Sequence, residues 1–188
     1  MRVTGGGARG RRLRAGSGPG LRPTSSRVRQ ALFNLLGARI TGCTFLDLYA
    51  GTGAIGIEAL SRGAGEVVFV ERDAVAARFI RRNLDETGFS GAARVLAAPV
   101  ETAIRDLGTA AEQFDIVYAD PPWDPGIPGS VLQGAARLVA AGGVLIVEHR
   151  TSGPPPISET SGLRPGRRYR HGDATLAVFH RDQAGHGA

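Results

Sequence analysis

The stretch TFLDLYAGTGAIGIEALSRG, Thr44 to Gly63, changes period in its middle, and that change decides the fold. It opens as a short apolar run of strand length and closes as a helix-compatible segment. Between and just inside them stand Gly51, Gly53 and Gly56. That spacing allows a tight turn, a close approach of backbone to ligand, and close packing of the following helix. By itself the pattern is weak, since a glycine turn serves many loops. Its place between a buried strand and a helix strengthens it. So does Glu71, at the end of EVVFVE, where a carboxylate can take both hydroxyls of a ribose.

Outward from this loop the same alternation repeats. ARVLA, FDIVYAD and GGVLIVEH are further apolar runs, and DAVAARFIRRNLDETG, PVETAIRDLG and GIPGSVLQGAARLVAAG are the helix-compatible segments between them. Nearly continuous apolar strands alternating with helices predict a parallel sheet covered on both faces, with ligands beyond the carboxyl ends of the strands where strand order reverses. After Arg150 the pattern breaks. TSGPPPISETSG reads as a loop, and LRPGRRYRHGDATLAVFHR predicts two antiparallel strands joined near His171, Gly172 and Asp173. Ahead of the core, Thr24, Ser25 or Ser26 can cap a helix over residues 26–36, whose Val28, Leu32, Leu35 and Leu36 recur at helical spacing. The expected organisation is a basic arm or hairpin over 1–22, one α/β domain over 23–181 and a frayed tail over 182–188.

The fourth strand ends in YADPPWD and carries the only Trp of the chain. Proline fixes its own φ and restricts the residue before it, so Asp120, Pro121, Pro122 and Trp123 are held extended. The Asp120 carboxylate and the Pro121 carbonyl are two acceptors suited to an NH2 group, and an indole face suits a flat ring. An exocyclic base amine is a poor nucleophile because its lone pair is delocalised; donating both protons to such acceptors returns density to nitrogen. These four residues are the candidate catalytic set. The competing reading is a proline-stiffened turn with a packed Trp.

Composition bounds the rest. With 188 residues, 42% hydrophobic, one domain with a substantial core is expected. Cys43 is the sole cysteine, and the four scattered histidines make no ligand pattern, so no metal site is expected. No apolar run reaches the roughly 18 residues of a membrane span, and the basic N-terminus has no apolar stretch behind it, so a cytoplasmic protein is expected. All 23 basic residues are Arg, and the net charge is +6. No acid precedes Asp47, whereas nine arginines do, which makes the first 46 residues about +9. Genome bias explains Arg over Lys but not the missing acids, and a basic end on a near-neutral body fits a polyanion partner.

Taken together, GLRPTSSRVRQALFNLL, DLYAGTGAIGIEALSRGA, VERD, DPPW and HGDATLAVF resemble the RsmD family of class I S-adenosylmethionine-dependent methyltransferases. The resemblance covers nearly the whole chain. It implies a Rossmann-like fold with a mostly parallel seven-stranded sheet, helices on both faces and a C-terminal antiparallel hairpin. It implies methyl transfer to the N2 amine of a guanine in 16S rRNA, within the small ribosomal subunit or its assembly intermediate, releasing S-adenosylhomocysteine; a monomer is expected. By the same resemblance Asp47, Gly51 and Gly53 line the methionine end of the cofactor and Glu71 its ribose, with Tyr49, Gly56, Arg72 and Asp120 completing that set. The charge asymmetry puts Arg9, Arg11, Arg12 and Arg14 against RNA, and the resemblance implies that Arg22, Thr24, Arg27 and Arg29 face RNA or close the site. One departure concerns RVLAAPVETAI: Ala98, Pro99 and Val100 stand where relatives often carry Asp or Asn toward the adenine, so backbone or apolar contacts must serve there. The alternatives are another amine methyltransferase acting on adenine or glutamine, an NAD-dependent oxidoreductase, and a non-catalytic rRNA-binding assembly factor.

Overall fold

The computed structural model describes residues 1–15, 25–124, 126–153 and 162–183. Arg22, Thr24, most of the loop after Arg150 and the end of the C-terminal tail lie outside those residues. The chain divides into two compact units, Met1–Val100 and Glu101–Ala188.

The first unit begins with a hairpin-like turn rather than a loose arm. Val3 N donates to Arg11 O and Leu13 N to Met1 O, and Arg2 bridges Arg12 in antiparallel fashion. Val3, Ala8 and Leu13 are buried beneath it. Helix α1 follows at Ser26–Leu36; the Ser25 side chain accepts from Val28 N, and Gly37, at φ 52°, ends it. Strands β1 (Thr44–Leu48), β2 (Glu66–Val70) and β3 (Ala93–Leu96) pair in parallel. Helix α2 (Ala54–Ser61) is buried on every side, as expected of a helix whose only strongly polar residue is Glu58. Helix α3 (Ala74–Thr87) is capped by Asp73, which accepts from Val75 N and Ala76 N, and closed by Gly88 at φ 83°.

The second unit takes up the chain within α4 (Val100–Thr109) and continues through β4 (Phe114–Ala119), α5 (Gly129–Arg137), β5 (Val139–Arg150), β6 (Arg164–His171) and β7 (Ala174–His180). β4 and β5 are parallel, while β7 runs antiparallel to both β5 and β6. The sheet order is β3-β2-β1-β4-β5-β7-β6, so the seven-stranded, mostly parallel sheet with a terminal antiparallel hairpin is as the sequence predicts. One boundary differs. LVAAG reads as the end of a helix, yet α5 stops at Arg137 and β5 has begun by Val139. The register jumps between Phe114↔Val139 and Ile116↔Val144, and the glycine pair carries the irregularity. Gly142 has φ 76°, and a Cβ on Gly143 would stand 2.8 Å from both Ala140 O and Asp115 O. Helical periodicity cannot see a bulge that only glycine permits.

Candidate active site

In the first unit the structure gathers most of the expected cofactor residues around the end of β1. Asp47 is 1% exposed, and its Oδ2 accepts from Gly56 N at 3.0 Å, bracing the first turn of α2. Burial pushes the Asp47 carboxyl up to about 7, the Gly56 N–H opposes that, and nearby Glu71 adds to the rise. Tyr49 holds a left-handed backbone at φ 62°, which is rare for a residue with a Cβ and marks a constrained turn. Gly51 (φ 56°) and Gly53 (φ 81°) complete the turn.

The three glycines have three distinct environments. No heavy atom stands within 4 Å of where a Cβ on Gly51 would be, so its outer face admits a ligand. At Gly53 such a carbon would lie 3.2 Å from Ile80, and at Gly56 it would overlap Phe69 at 2.2 Å. Gly56 thus sets the close seat of α2 on β2 that the motif calls for. Glu71 belongs to the same cluster: Oε2 accepts from Gly51 N and Oε1 from Asp73 N, each at 2.8 Å. Both oxygens keep a lone pair for a diol. A clear backbone face, a carboxylate fixed beside it and an acid at its base fit an adenosine-type cofactor. Arg72 is exposed at the rim, and Ala98 and Pro99 offer no side-chain hydrogen bond.

In the second unit Asp120 and Trp123 are half-buried, Pro121 is buried and Pro122 is exposed. Gly126 N donates to Pro122 O and closes the turn behind the indole. Arg150, at the end of β5, lays its guanidinium over the Trp123 ring, 5.4 Å from the centroid. The indole therefore presents a face that a planar polar group occupies. Two residues before Asp120, Tyr118 donates its hydroxyl to Glu148 Oε2 at 2.6 Å inside the core. Burial raises the Glu148 carboxyl, and the Tyr118 bond partly offsets that rise. Neither Arg150 nor Glu148 is singled out by sequence pattern; the one available signal is polar residues closing the otherwise apolar run GGVLIVEHR. His149 is half-buried with Nδ1 2.9 Å from Arg150 O, and burial lowers its ring from the ordinary histidine range. Among the described residues no group of three or more His, Cys, Asp or Glu is arranged to hold a metal.

The arginines expected to face RNA separate. Arg9, Arg12 and Arg27 are exposed. Arg11 and Arg14 are exposed too, but Arg11 donates to Glu86 O and Arg14 Nε pairs with Glu86 Oε1 at 2.7 Å. Arg29 is a correction. It is 1% exposed, donates to Arg2 O at 2.6 Å and lies 3.4 Å from Glu58 Oε2, so it cannot face RNA. Its position on the buried side of α1 and the acid on α2 explain this.

Glu58 is the hub that the sequence does not advertise. It accepts from Thr4 N and Thr4 Oγ1, each at 2.7 Å, and pairs with Arg62 Nε at 2.8 Å, joining the hairpin, α1 and α2. Asn83, also fully buried, has a parallel role: its Oδ1 accepts from Arg14 N, and its Nδ2 donates to Arg14 O and Thr52 O. It ties the basic N-terminal segment to the glycine loop.

These features meet known proteins at one place. The family described as Conserved hypothetical protein 95 matches residues 1–180. YlbH of Bacillus subtilis (strain 168) is 32% identical over 182 residues, 95% of this chain and 98% of that protein. Ribosomal RNA small subunit methyltransferase D of Escherichia coli (strain K12) is 40% identical over 127 residues, 68% of this chain and 62% of the relative. The solved structure of YhhF from Escherichia coli superposes with a TM-score of 0.83 at 28% identity, covering 97% of this chain and 98% of that one. An oxidoreductase reading of the glycine loop falls with these matches. The chain belongs to the RsmD family of S-adenosylmethionine-dependent rRNA methyltransferases, with the class I methyltransferase fold.

Proposed function

We propose that this protein methylates the exocyclic N2 amine of one guanine in 16S rRNA, presented by the small ribosomal subunit or its assembly intermediate. The observation that carries the reading is the segment Asp120 to Trp123, two acceptors and an indole stiffened by adjacent prolines at the carboxyl end of β4. S-adenosylmethionine, when bound, supplies an electrophilic methyl on a sulfonium. Gly51 and Glu71 would hold its adenosine part, and Asp47 its methionine end. The Asp120 carboxylate and the Pro121 carbonyl would accept hydrogen bonds from the two amine N–H groups, which returns electron density to nitrogen and fixes its direction; the gain is one of orientation. As the N–C bond formed, the methyl's bond to sulfur would break to leave S-adenosylhomocysteine, and the nitrogen would shed one proton to Asp120 or through it to water. Trp123 stacks on a guanine turned out of its own helix, with Arg150 yielding the ring face to it.

Labelled methyl transfer to small subunits from a strain lacking the endogenous enzyme, followed by mapping of the modified base, tests the proposal. Asp120→Ala should lower transfer by about 100-fold or more, the usual range for a lost acid-base group, while S-adenosylhomocysteine still binds. Full activity in that variant removes Asp120 from the mechanism. Label appearing on adenine or on a protein glutamine instead of guanine N2 overturns the substrate, and no label at all favours a binding factor.

A further inference from the structure

β6 is the outermost strand of the sheet and reads RPGRRYRH, with four arginines and no acid. Arg164, Arg167, Arg168 and Arg170 are all exposed. Arg164 lies 3.4 Å from Asp182, itself exposed; Arg167, Arg168 and Arg170 have no acidic partner among the described residues. The extra residue between Pro165↔Phe179 and Arg168↔Ala177 is a bulge, and Gly166 permits it, since a Cβ there would meet His180 Nε2 at 2.6 Å. Beyond the bulge Arg168 and Arg170 stand opposite Ala177 and Thr175, both buried. Alternate residues share a face, so these two side chains leave one side of the sheet from backbone positions about 7 Å apart. That is an interval comparable to successive phosphates of an extended strand.

We propose that the β6 edge is a second phosphate-contact surface, with Arg167, Arg168 and Arg170 holding the RNA backbone flanking the target nucleotide. It uses other residues than the N-terminal arginines and rests on the rRNA reading above. Arg suits the task because its fork binds phosphate oxygens in pairs and remains charged at any working pH. The competing explanation is edge protection, since charges, Pro165 and a bulge all discourage strand pairing between molecules. Edge protection is indifferent to the sign of the charge. Phosphate binding is not.

Two triple variants separate these explanations: R167Q/R168Q/R170Q and R167E/R168E/R170E. Binding of small subunits from the methyltransferase-deficient strain is titrated between about 50 and 200 mM salt. Three lost single-strand phosphate contacts should reduce the slope of log affinity against log salt by about 2. The Gln variant should bind about 10- to 100-fold more weakly and the Glu variant more weakly still. Both should keep their melting temperature and their affinity for S-adenosylhomocysteine, and the loss of transfer should fall on KM rather than kcat. An unchanged slope in folded variants overturns the inference. Aggregation of the Gln variant, with full affinity in the Glu variant, assigns the arginines to edge protection instead. Should the wild type label no rRNA at all, the functional reading fails first, and the salt slope still reports whether β6 binds RNA.

Discussion

The N-terminal hairpin carries five arginines between residues 2 and 14, and β6 carries four between residues 164 and 170. In each set one arginine meets an exposed carboxylate, Arg14 with Glu86 and Arg164 with Asp182; what differs is the buried acid that the first unit brings up behind its hairpin. Around the hairpin, Glu58 takes Arg29 and Arg62, and Glu86 takes Arg14 and Arg82. Beside β6 the only described ion pair is the exposed one between Arg164 and Asp182. Charge density along a chain therefore measures what is present. What is free depends on the carboxylates that the fold brings alongside.

The most severe way to probe this contrast is to remove the acid at its centre. Glu58→Gln leaves Arg29 buried without its counter-ion and should cost about 3–5 kcal/mol, the usual penalty for breaking a buried pair. Thermal or denaturant unfolding checks it. The double variant Arg29→Met with Glu58→Leu should regain much of that loss, because apolar groups can replace a buried pair at little cost. By contrast, Arg168→Gln should leave stability within about 0.5 kcal/mol. If both regions lost stability equally, the distinction between a structural and a free arginine would be void.

Asp47 sharpens the contrast as a buried carboxylate that accepts its hydrogen bond from the Gly56 backbone N–H rather than from a cation. Its folded-state carboxyl lies at about 7, whereas in the unfolded chain it lies near 4. Between those values the folded protein keeps a proton that the unfolded chain has released. The stabilisation from this group is thus complete below about pH 4 and is lost as pH rises through 7. Asp47→Asn should raise stability at pH 8 by a few kcal/mol, at about 1.4 kcal/mol per pH unit of separation, and hardly change it at pH 4. Equal effects at both values would mean the carboxylate is ionised throughout. The smallest effect is expected from Glu86→Gln. It frees Arg14 and Arg82 on an exposed surface, so melting should be unchanged while RNA affinity rises about two-fold, seen in the same salt titration.

Local rules made much of this legible. The β1–glycine–α2 turn, the alternation of strands and helices and the turn at Gly172 depend on residues within a few positions of one another. Glu71 could be matched to Gly51 because strand ends in a parallel sheet meet at one edge. What stayed hidden is nonlocal. Arg29 and Glu58 are 29 residues apart, Tyr118 and Glu148 are 30, and Arg14 and Asn83 are 69. Each pairing depends on which faces the folded core turns together, and no period in the sequence encodes that. The early start of β5 was hidden for a different reason: Gly142 and Gly143 turn a helix-compatible run into a strand by conformations that hydrophobic spacing does not register.

The docking of the first residues on α2 governs how any truncation is to be interpreted. Gly7 N donates to Ser61 O, Ala8 N to Ser61 Oγ, and Thr4 gives Glu58 two donors. Clipping that segment unplugs a keystone rather than trimming a fringe. A shortened protein that no longer recognises its rRNA would be reporting damage to the scaffold, and substitutions confined to Arg9 and Arg12 are the cleaner instrument.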